Sequence, residues 1–193
     1  MSETDNMTVR HLKVPGLNDI FLACIHFPSK LYCDDASQAM ECTAIAEIIR
    51  SVERRFGHER TVLVGDLNMN PFEDGVVSAS GFHGVMARRV AEAGTRIVQG
   101  RKYPFFYNPM WACFGDRPSG PPGTYYYGGS TQKVLFWNMF DQVMIRPDLL
   151  PCFDNDSLQV LQSDGINSLL SSDGRPNINM ASDHLPLVFG LNL

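Results

Sequence analysis

The sequence predicts an α/β (α+β) fold built around a mixed β-sheet, and two observations support this. An apolar run over residues 20–26 is followed by a helical pattern over 34–57 and then by a second apolar run over 61–67. Strands joined by a crossover helix run parallel, with the helix on one face of the sheet. Two later runs, 141–145 and 185–191, follow polar residues instead of ending in them. If these run antiparallel to the first two, the sheet is mixed.

The first element is a β-hairpin. Two apolar stretches flank the turn signal PGLND at residues 15–19, and the second stretch ends near His26. Residues 1–8 are expected to be disordered, since Glu3 and its neighbours form a polar tail.

The helical pattern that follows has residue types suited to both of its ends. Asp34 or Asp35 can cap the start, and Gly57 can adopt the left-handed conformation that ends a helix. The predicted buried stripe recurs at every fourth residue, at Met40, Ala44, Ile48, Val52 and Phe56, with Ile45 and Ile49 beside it.

The remaining elements follow from composition. The run TVLVGDL (61–67) alternates too little for a solvent-exposed face, which indicates a strand covered on both sides. A second helix is predicted over residues 81–94. Residues 102–130 are rich in aromatics, Pro and Gly, and are predicted to form a long surface excursion. Residues 157–162 (SLQVLQ) are a short strand candidate.

Size and charge limit the protein class. A length of 193 residues with 44% hydrophobic residues suits a single domain over 1–193. The net charge of −5 argues against broad electrostatic coating of nucleic acid. Five cysteines without a CxxC pair suggest neither a zinc ribbon nor a closed disulfide framework. With no signal-like or membrane-spanning segment, we expect a cytoplasmic protein with no membrane association.

Polar residues gather where the predicted strands begin or end. Asp66 and Asn68 are two residues apart, so they point the same way as their strand leaves the sheet. The other candidates are His26, Asp141, Asp183 and His184. Each alone is explained by a turn, a cap or a core position, but together they predict a convergent site at one rim of the sheet.

The chemistry of this set favours a hard cation and phosphate. Three carboxylates, two histidines and an amide, without thiolates, suit Mg²⁺ (or Mn²⁺) better than zinc or copper. Phosphoryl transfer needs a positioned nucleophile and stabilisation of charge on the phosphate oxygens, and this set has groups for both.

The motifs GDLNMNPF (65–72) and SDHLPL (182–187), with IHFPSK before and FDQVMI between them, resemble the endonuclease/exonuclease/phosphatase (DNase I-like) superfamily. The resemblance extends from about residue 20 to 191. It implies a four-layer sandwich of two mixed β-sheets flanked by helices. It also implies divalent-metal-dependent cleavage of phosphate esters.

The resemblance also implies residue roles. Asp66 would hold or deprotonate the attacking water, and Asn68 would orient it or bind the developing oxyanion. His184, oriented by Asp141, would contact the scissile phosphate as a base or as an electrostatic clamp. His26 would contact phosphate or the leaving group. The implied metal ligands are Asp183, directly or as a neighbouring carboxylate, and Asp66.

One departure separates the chain from this pattern. Relatives carry an asparagine strand and then a metal-binding glutamate upstream of the strand equivalent to residues 21–27, and neither Glu3 nor Glu73 is assigned that role. The chain is therefore expected to be an N-terminally truncated member. A truncated product, a short form with a rebuilt metal site and a member that binds without cutting all fit. Exposed sheet edges then predict a homodimer.

The leading functional prediction is a nuclease or phosphodiesterase acting on a phosphate-ester substrate, with DNA and RNA as the expected classes. Aromatics at residues 103–127 could stack on bases. The alternatives are a catalytically silent binding module and a small-molecule phosphomonoesterase. The inositol polyphosphate phosphatase class is disfavoured, because FWNMFDQV (136–143) lacks the WCDR-like stretch of those relatives.

Overall fold

A seven-stranded mixed β-sheet organises the computed structural model, which describes residues 2–13, 15–116 and 120–193. The elements in chain order are β1 (Ser2–Thr4), β2 (Met7–Leu12), β3 (Ile20–His26), α1 (Asp35–Phe56), β4 (Thr61–Asp66), α2 (Asp74–Val77), β5 (Gly84–Val85), α3 (Arg88–Ala91), β6 (Thr95–Val98), β7 (Arg101–Pro104), β8 (Phe106–Tyr107), β9 (Tyr125–Tyr127), β10 (Phe136–Asn138), β11 (Asp141–Ile145), β12 (Phe153–Val160) and β13 (Leu187–Leu191). Short 3₁₀ helices span Pro109–Ala112 and Pro147–Cys152.

The large sheet has the strand order β1-β2-β3-β4-β11-β8-β5. Strands β3 and β4 are parallel and are joined by α1, as the crossover pattern predicts. Strand β11 runs antiparallel to β4, as the mixed sheet requires. Within the described ranges, three two-stranded sheets accompany it, formed by β6–β7, β9–β10 and β12–β13.

The N-terminal region is more ordered than its polar composition suggests. Strands β2 and β3 form the predicted hairpin, and β1 adds to its outer edge in antiparallel register. Glu3 lies in β1 opposite Thr8, so the expected disorder of residues 1–8 is wrong for residues 2–8. Backbone pairing with β2 satisfies hydrogen-bonding groups of this segment despite its low hydrophobicity.

Helix α1 begins and ends where the sequence predicts. The Asp34 carboxylate accepts a hydrogen bond from the Ser37 amide at 2.8 Å, and Gly57 ends the helix in the left-handed conformation. Val52 and the adjacent Ile45 and Ile49 are buried as the sequence predicts, whereas Met40 is 75% exposed and Ala44 is exposed, contrary to the predicted stripe. The buried face consists of Gln38, Cys42, Ile45, Ala46, Ile49, Val52 and Glu53.

The buried face of α1 includes a charged residue. Glu53 and Arg146 are 3% and 1% exposed, and their side chains are joined by two contacts of 2.8 and 3.1 Å. The Thr61 hydroxyl also donates to Glu53, and Arg146 donates to the carbonyls of Pro104 and Phe105. Periodicity counts apolar residues only, which is why it did not place Gln38 and Glu53 on the buried face.

Strand β4 is covered on both faces, as predicted. On one side Leu63 packs into the apolar cluster beneath α1. On the other side Val62 packs into a second cluster that includes Phe153 and Leu158 of β12. The second sheet of the sandwich is the antiparallel β12–β13 pair, and the outer face of this pair is exposed at Val188.

Two middle segments differ from the sequence prediction. The helix predicted over 81–94 is replaced by β5 and the short α3, and its apolar residues Met86 and Val90 are exposed. The left-handed backbone of His83 (φ 56°) precludes a helix through that point.

The segment 102–130 is only partly a surface excursion. Strand β8 pairs with both β5 and β11, and its Phe106 is fully buried in the core. Residues 117–119 of this segment lie outside the described part of the chain. Across the described ranges, no helix has the length and apolar character needed to cross a membrane.

Candidate active site

The sheet brings three of the predicted residues side by side. His26 ends β3, Asp66 ends β4 and Asp141 begins β11; in the pairing register, Asp66 lies opposite His26 on one side and opposite Asp141 on the other. This alignment requires parallel β3–β4 and antiparallel β4–β11 pairing. The expected convergence at one sheet rim is therefore present.

Gly65 permits the close strand packing just before Asp66. Its φ is 144°, and a β-carbon at this position would lie 1.9 Å from the backbone oxygen of Ile25. Glycine is the residue that fits where two backbones approach so closely.

Asp66 and Asn68 form a rigid local unit. The Asn68 amide N–H donates to one Asp66 carboxylate oxygen at 2.8 Å, and its side-chain Nδ2 donates to the other at 3.0 Å. Nδ2 also donates to the Phe27 carbonyl at 2.9 Å. Because both Nδ2 hydrogens are used, the Asn68 side chain has only its oxygen free. Asn68 adopts a positive φ of 48°, which asparagine tolerates better than most residues.

The electrostatics of Asp66 suit proton transfer. Burial raises the pKa of its carboxyl above the ordinary value, and the neighbouring Asp141 charge adds to the increase. The hydrogen bond from the Asn68 backbone and the charges of His184 and His26 act in the opposite direction. A carboxylate whose pKa is raised is a stronger base than a surface aspartate.

His184 and Asp141 form a direct pair. The distance from His184 Nδ1 to Asp141 Oδ2 is 2.7 Å, with Nδ1 donating to the carboxylate. Burial alone would lower the pKa of His184, but this hydrogen bond and the charges of Asp141, Asp66 and Asp183 raise it above the ordinary value. The Nε2 atom is then the remaining polar atom of the ring.

The other two predicted residues lie at the margin of the site. His26 has an 81% exposed side chain, and its Nε2 is 3.8 Å from Asp66 Oδ2. Asp183 is exposed, and the group of potential ligand atoms within 4.8 Å of one another comprises Asp66, Asp141 and His184 without it. Asp183 therefore influences the site through its charge on His184 more than through contact.

Sequence reasoning missed Tyr125 as a wall of the site. Its ring lies 4.7 Å from the His184 ring and stacks 5.4 Å from Phe140, between centroids. Tyr125 also forms an isolated β-bridge with His184. Burial and the charges of Asp183, Tyr127 and Asp66 raise the pKa of its phenol. The sequence places Tyr125 among aromatics, but only the bridge shows which one faces the histidine.

A polar network behind the Asp66–Asn68 turn was also missed. Gln38, fully buried on α1, donates to the carbonyls of Asn68 and Pro28 and accepts from Lys30. Lys30 pairs with Asp35 at 2.7 Å and also with Glu73. Glu73 is the N-cap residue of α2, and its ion pair with Lys30 connects the loop after β4 to the loop after β3.

The donor set is compatible with a hard cation. Among the described residues, Asp66, Asp141 and His184 alone form a group of three or more potential ligands. Mg²⁺ commonly takes one or two carboxylates and completes its shell with water and substrate phosphate. The negative charge of Asp141 contributes to the raised pKa of Asp66. A cation bound beside the two carboxylates would relieve this repulsion.

No family model matches the sequence, and no curated protein matches it either. The structure is similar to the endonuclease domain of TRAS1, a telomere-specific non-LTR retrotransposon, with a TM-score of 0.51 and 16% identity over 98% of this chain and 65% of that one. At this identity the likeness concerns the fold. The chain has the DNase I-like fold, as the motif resemblance implied.

Two further solved structures are similar at lower scores. One is a functionally unknown conserved protein from Enterococcus faecalis V583, with a TM-score of 0.49 and 15% identity over 92% of this chain and 51% of that chain. The other is truncated Caenorhabditis elegans TDP2, with a TM-score of 0.48 and 15% identity over 95% and 59%. The chain thus spans between about half and two thirds of the structures it matches.

Proposed function

We propose that this protein hydrolyses phosphate esters and that its main activity is that of a nuclease or phosphodiesterase. The observation that carries this proposal is the meeting of Asp66, Asp141 and His184, whose potential ligand atoms lie within 4.8 Å at the rim of the sheet. The similarity of fold to an endonuclease domain supports it.

In the proposed reaction, Asp66 orients the attacking water and accepts its proton. The Asn68 hydrogen bonds keep its carboxylate fixed for this role. Asn68 has no free side-chain hydrogen, so it contributes by holding Asp66 and by accepting from water through its oxygen. The alternative role for Asn68, donating to the oxyanion, is not supported by this geometry.

His184 acts as an electrostatic clamp on the phosphate. Asp141 holds Nδ1 and favours the charged imidazole, so Nε2–H can donate to a nonbridging oxygen as negative charge develops there. His26, exposed beside Asp66, is placed to contact the leaving group.

We further propose that the protein uses Mg²⁺ or Mn²⁺. Asp66 would hold the ion, with Asp183 as a direct or neighbouring carboxylate. A bound divalent cation supplies neutralisation of the phosphate charge and lowers the pKa of attached water.

DNA or RNA is the proposed substrate. Exposed aromatic side chains at Phe72, Tyr127 and Phe136 offer surfaces on which bases can stack, and the Arg175 guanidinium lies 4.2 Å from the Tyr126 ring centroid. Stacking is tolerant of sequence and does not require a basic protein.

The test is hydrolysis of supercoiled plasmid, single-stranded RNA, bis(p-nitrophenyl) phosphate and p-nitrophenyl phosphate, each with Mg²⁺, Mn²⁺ or EDTA. We expect diester cleavage with a divalent ion and loss of it on Asp66→Ala. Asp156→Ala, which removes an exposed carboxylate of β12, is the matched control and should cleave like the wild type. Equal cleavage by Asp66→Ala would overturn the proposal, and cleavage of the monoester alone would favour a phosphomonoesterase.

A binding module without turnover is the second candidate, favoured by the position of Asp183 outside the close group of ligand atoms. Calorimetric titration with Mn²⁺ separates the two. Binding of nucleic acid without cleavage at saturating Mn²⁺ would support the silent module.

A cytoplasmic location and a homodimer formed through an exposed sheet edge stay predictions. Light scattering at high protein concentration tests the second. A mass of one chain of 21.6 kDa would contradict it.

A further inference from the structure

A cavity of about 310 Å³ opens beside the Asp141–His184 pair. Its polar lining comes from these two residues and Ser182, and the remaining wall is apolar. That wall consists of Leu169, Ala181, Leu185 and Pro186. The cavity therefore places an apolar surface next to the imidazole that is proposed to hold the phosphate.

The apolar wall is held in place by backbone hydrogen bonds. Leu169 and Ala181 belong to the excursion between β12 and β13, residues 161–186. The Leu169 amide donates to the Gln162 carbonyl, and the Leu169 carbonyl accepts from Asn177, both at 2.8 Å. The Ala181 amide donates to the Asn177 carbonyl at 2.9 Å. Leu185, buried beneath, donates its amide to Thr124 at 2.8 Å.

The chemistry of the cavity selects against a second charged group. Among the described residues that line it, none is a lysine or arginine, and its titratable members are Asp141 and His184. His184 is already paired with Asp141 and is the proposed contact of the scissile phosphate. A further phosphate in the cavity would meet apolar carbon and the Asp141 charge.

We propose that this cavity binds an uncharged ring that is joined through one ester oxygen to the scissile phosphate. The inference rests on the proposed hydrolase function and narrows its substrate to diesters with such a ring. An apolar cavity of about 150 Å³ is sufficient for benzene. The cavity here therefore has room for a nucleobase or an aryl group. It has no lysine or arginine among its described lining residues to bind a polyphosphate.

The test is equilibrium binding, which does not depend on turnover. Diphenyl phosphate and diethyl phosphate carry the same charge and differ in the ring, and the thymidine dinucleotide dTpdT distinguishes a nucleoside source from a simple aryl ester. Binding is measured by calorimetry and by the shifts of backbone amide NMR signals. We expect diphenyl phosphate to bind about tenfold more tightly than diethyl phosphate, a factor equivalent to about 1.4 kcal/mol.

Three variants locate the effect. Ala181→Trp fills the cavity and should remove the preference for diphenyl phosphate. Ile178→Trp adds the same ring to a 67% exposed position of the same excursion that does not line the cavity, and should keep the preference. Leu169→Ala enlarges the cavity and should weaken diphenyl phosphate binding, which covers the case in which Ala181→Trp does not fold.

The outcomes separate this inference from the proposed function. Equal binding of the two diesters, or a preference unaffected by both Ala181→Trp and Leu169→Ala, overturns the ring-binding cavity even if the protein cleaves diesters. Preferential binding of diphenyl phosphate without any hydrolysis supports the cavity and contradicts the hydrolase. Tight dTpdT binding that is lost in Ala181→Trp assigns the cavity to a nucleoside, whereas unchanged dTpdT binding assigns it to an aryl ester.

Discussion

Replacing Glu53 by alanine should destabilise the protein severely, because it leaves a buried charge without its partner. Arg146 is 1% exposed and makes two contacts with the Glu53 carboxylate, at 2.8 and 3.1 Å. The Thr61 hydroxyl also loses its acceptor, at 2.6 Å. The bonds from Arg146 to the carbonyls of residues 104 and 105 do not neutralise its charge.

The expected cost of Glu53→Ala is about 3–5 kcal/mol, the range found when one member of a buried pair is removed. For a domain of this size, about 1 kcal/mol lowers the melting temperature by roughly 2–4 °C, so a fall of roughly 6–20 °C is expected. Glu47 on the same helix pairs with Arg50 and Arg54 at the surface. Removing that carboxylate should cost about 1 kcal/mol or less.

Urea unfolding followed by circular dichroism measures both variants under the same conditions. The midpoint of Glu53→Ala should fall well below that of Glu47→Ala. Equal midpoints would refute the reasoning, because they would mean that the buried guanidinium is accommodated as easily as an exposed one. Glu53→Gln keeps the shape but not the charge, and should lie between the wild type and Glu53→Ala.

Three further predictions concern the site and its support. Gly65→Ala should disorder the rim, because its β-carbon would lie 1.9 Å from the backbone oxygen of Ile25. The NMR signals of β3 and β4 should shift, while those of the β12–β13 pair stay unchanged. Asp141→Asn should lower the pKa of His184 in an NMR titration with EDTA, because the carboxylate raises it. The stability from that raised pKa is present below the unfolded imidazole value and is lost as the pH rises through the folded value; an unchanged titration would contradict the pairing. Gln38→Leu should cost about 1–3 kcal/mol in urea unfolding, because the buried Asn68 carbonyl and the partly buried Pro28 carbonyl lose a donor, and a neutral result would count against the network.

Local patterns predicted the elements that position the site. The apolar run predicts the strand at 61–66, the capping residues predict the helix at 35–56, and the turn residues predict the hairpin before it. Each of these signals lies within or next to the element that it predicts. The polar residues at the strand ends could be grouped because the topology of a crossover unit restricts which ends meet. Asp66, Asp141 and His184 lie together as predicted from those rules.

Features that depend on distant partners were not predictable. The buried face of α1 includes Glu53, whose partner Arg146 is 93 residues away, so periodicity assigned the face to apolar neighbours instead. Phe106 belongs to a two-residue strand, too short for any alternation to show, and packs into the core once that strand pairs with β5 and β11. Tyr125 joins the site through a single β-bridge to His184, a contact with no local signature.

The most direct test of the central claim is a comparison of diester cleavage rates for the wild type, Asp66→Ala, His184→Ala and the double variant, at saturating Mn²⁺ on one substrate. If these residues act on one phosphate as a unit, each single change lowers the rate by about 10²–10⁴ and the double change costs little more than the slower single one. Wild-type rates in either single variant would contradict the account.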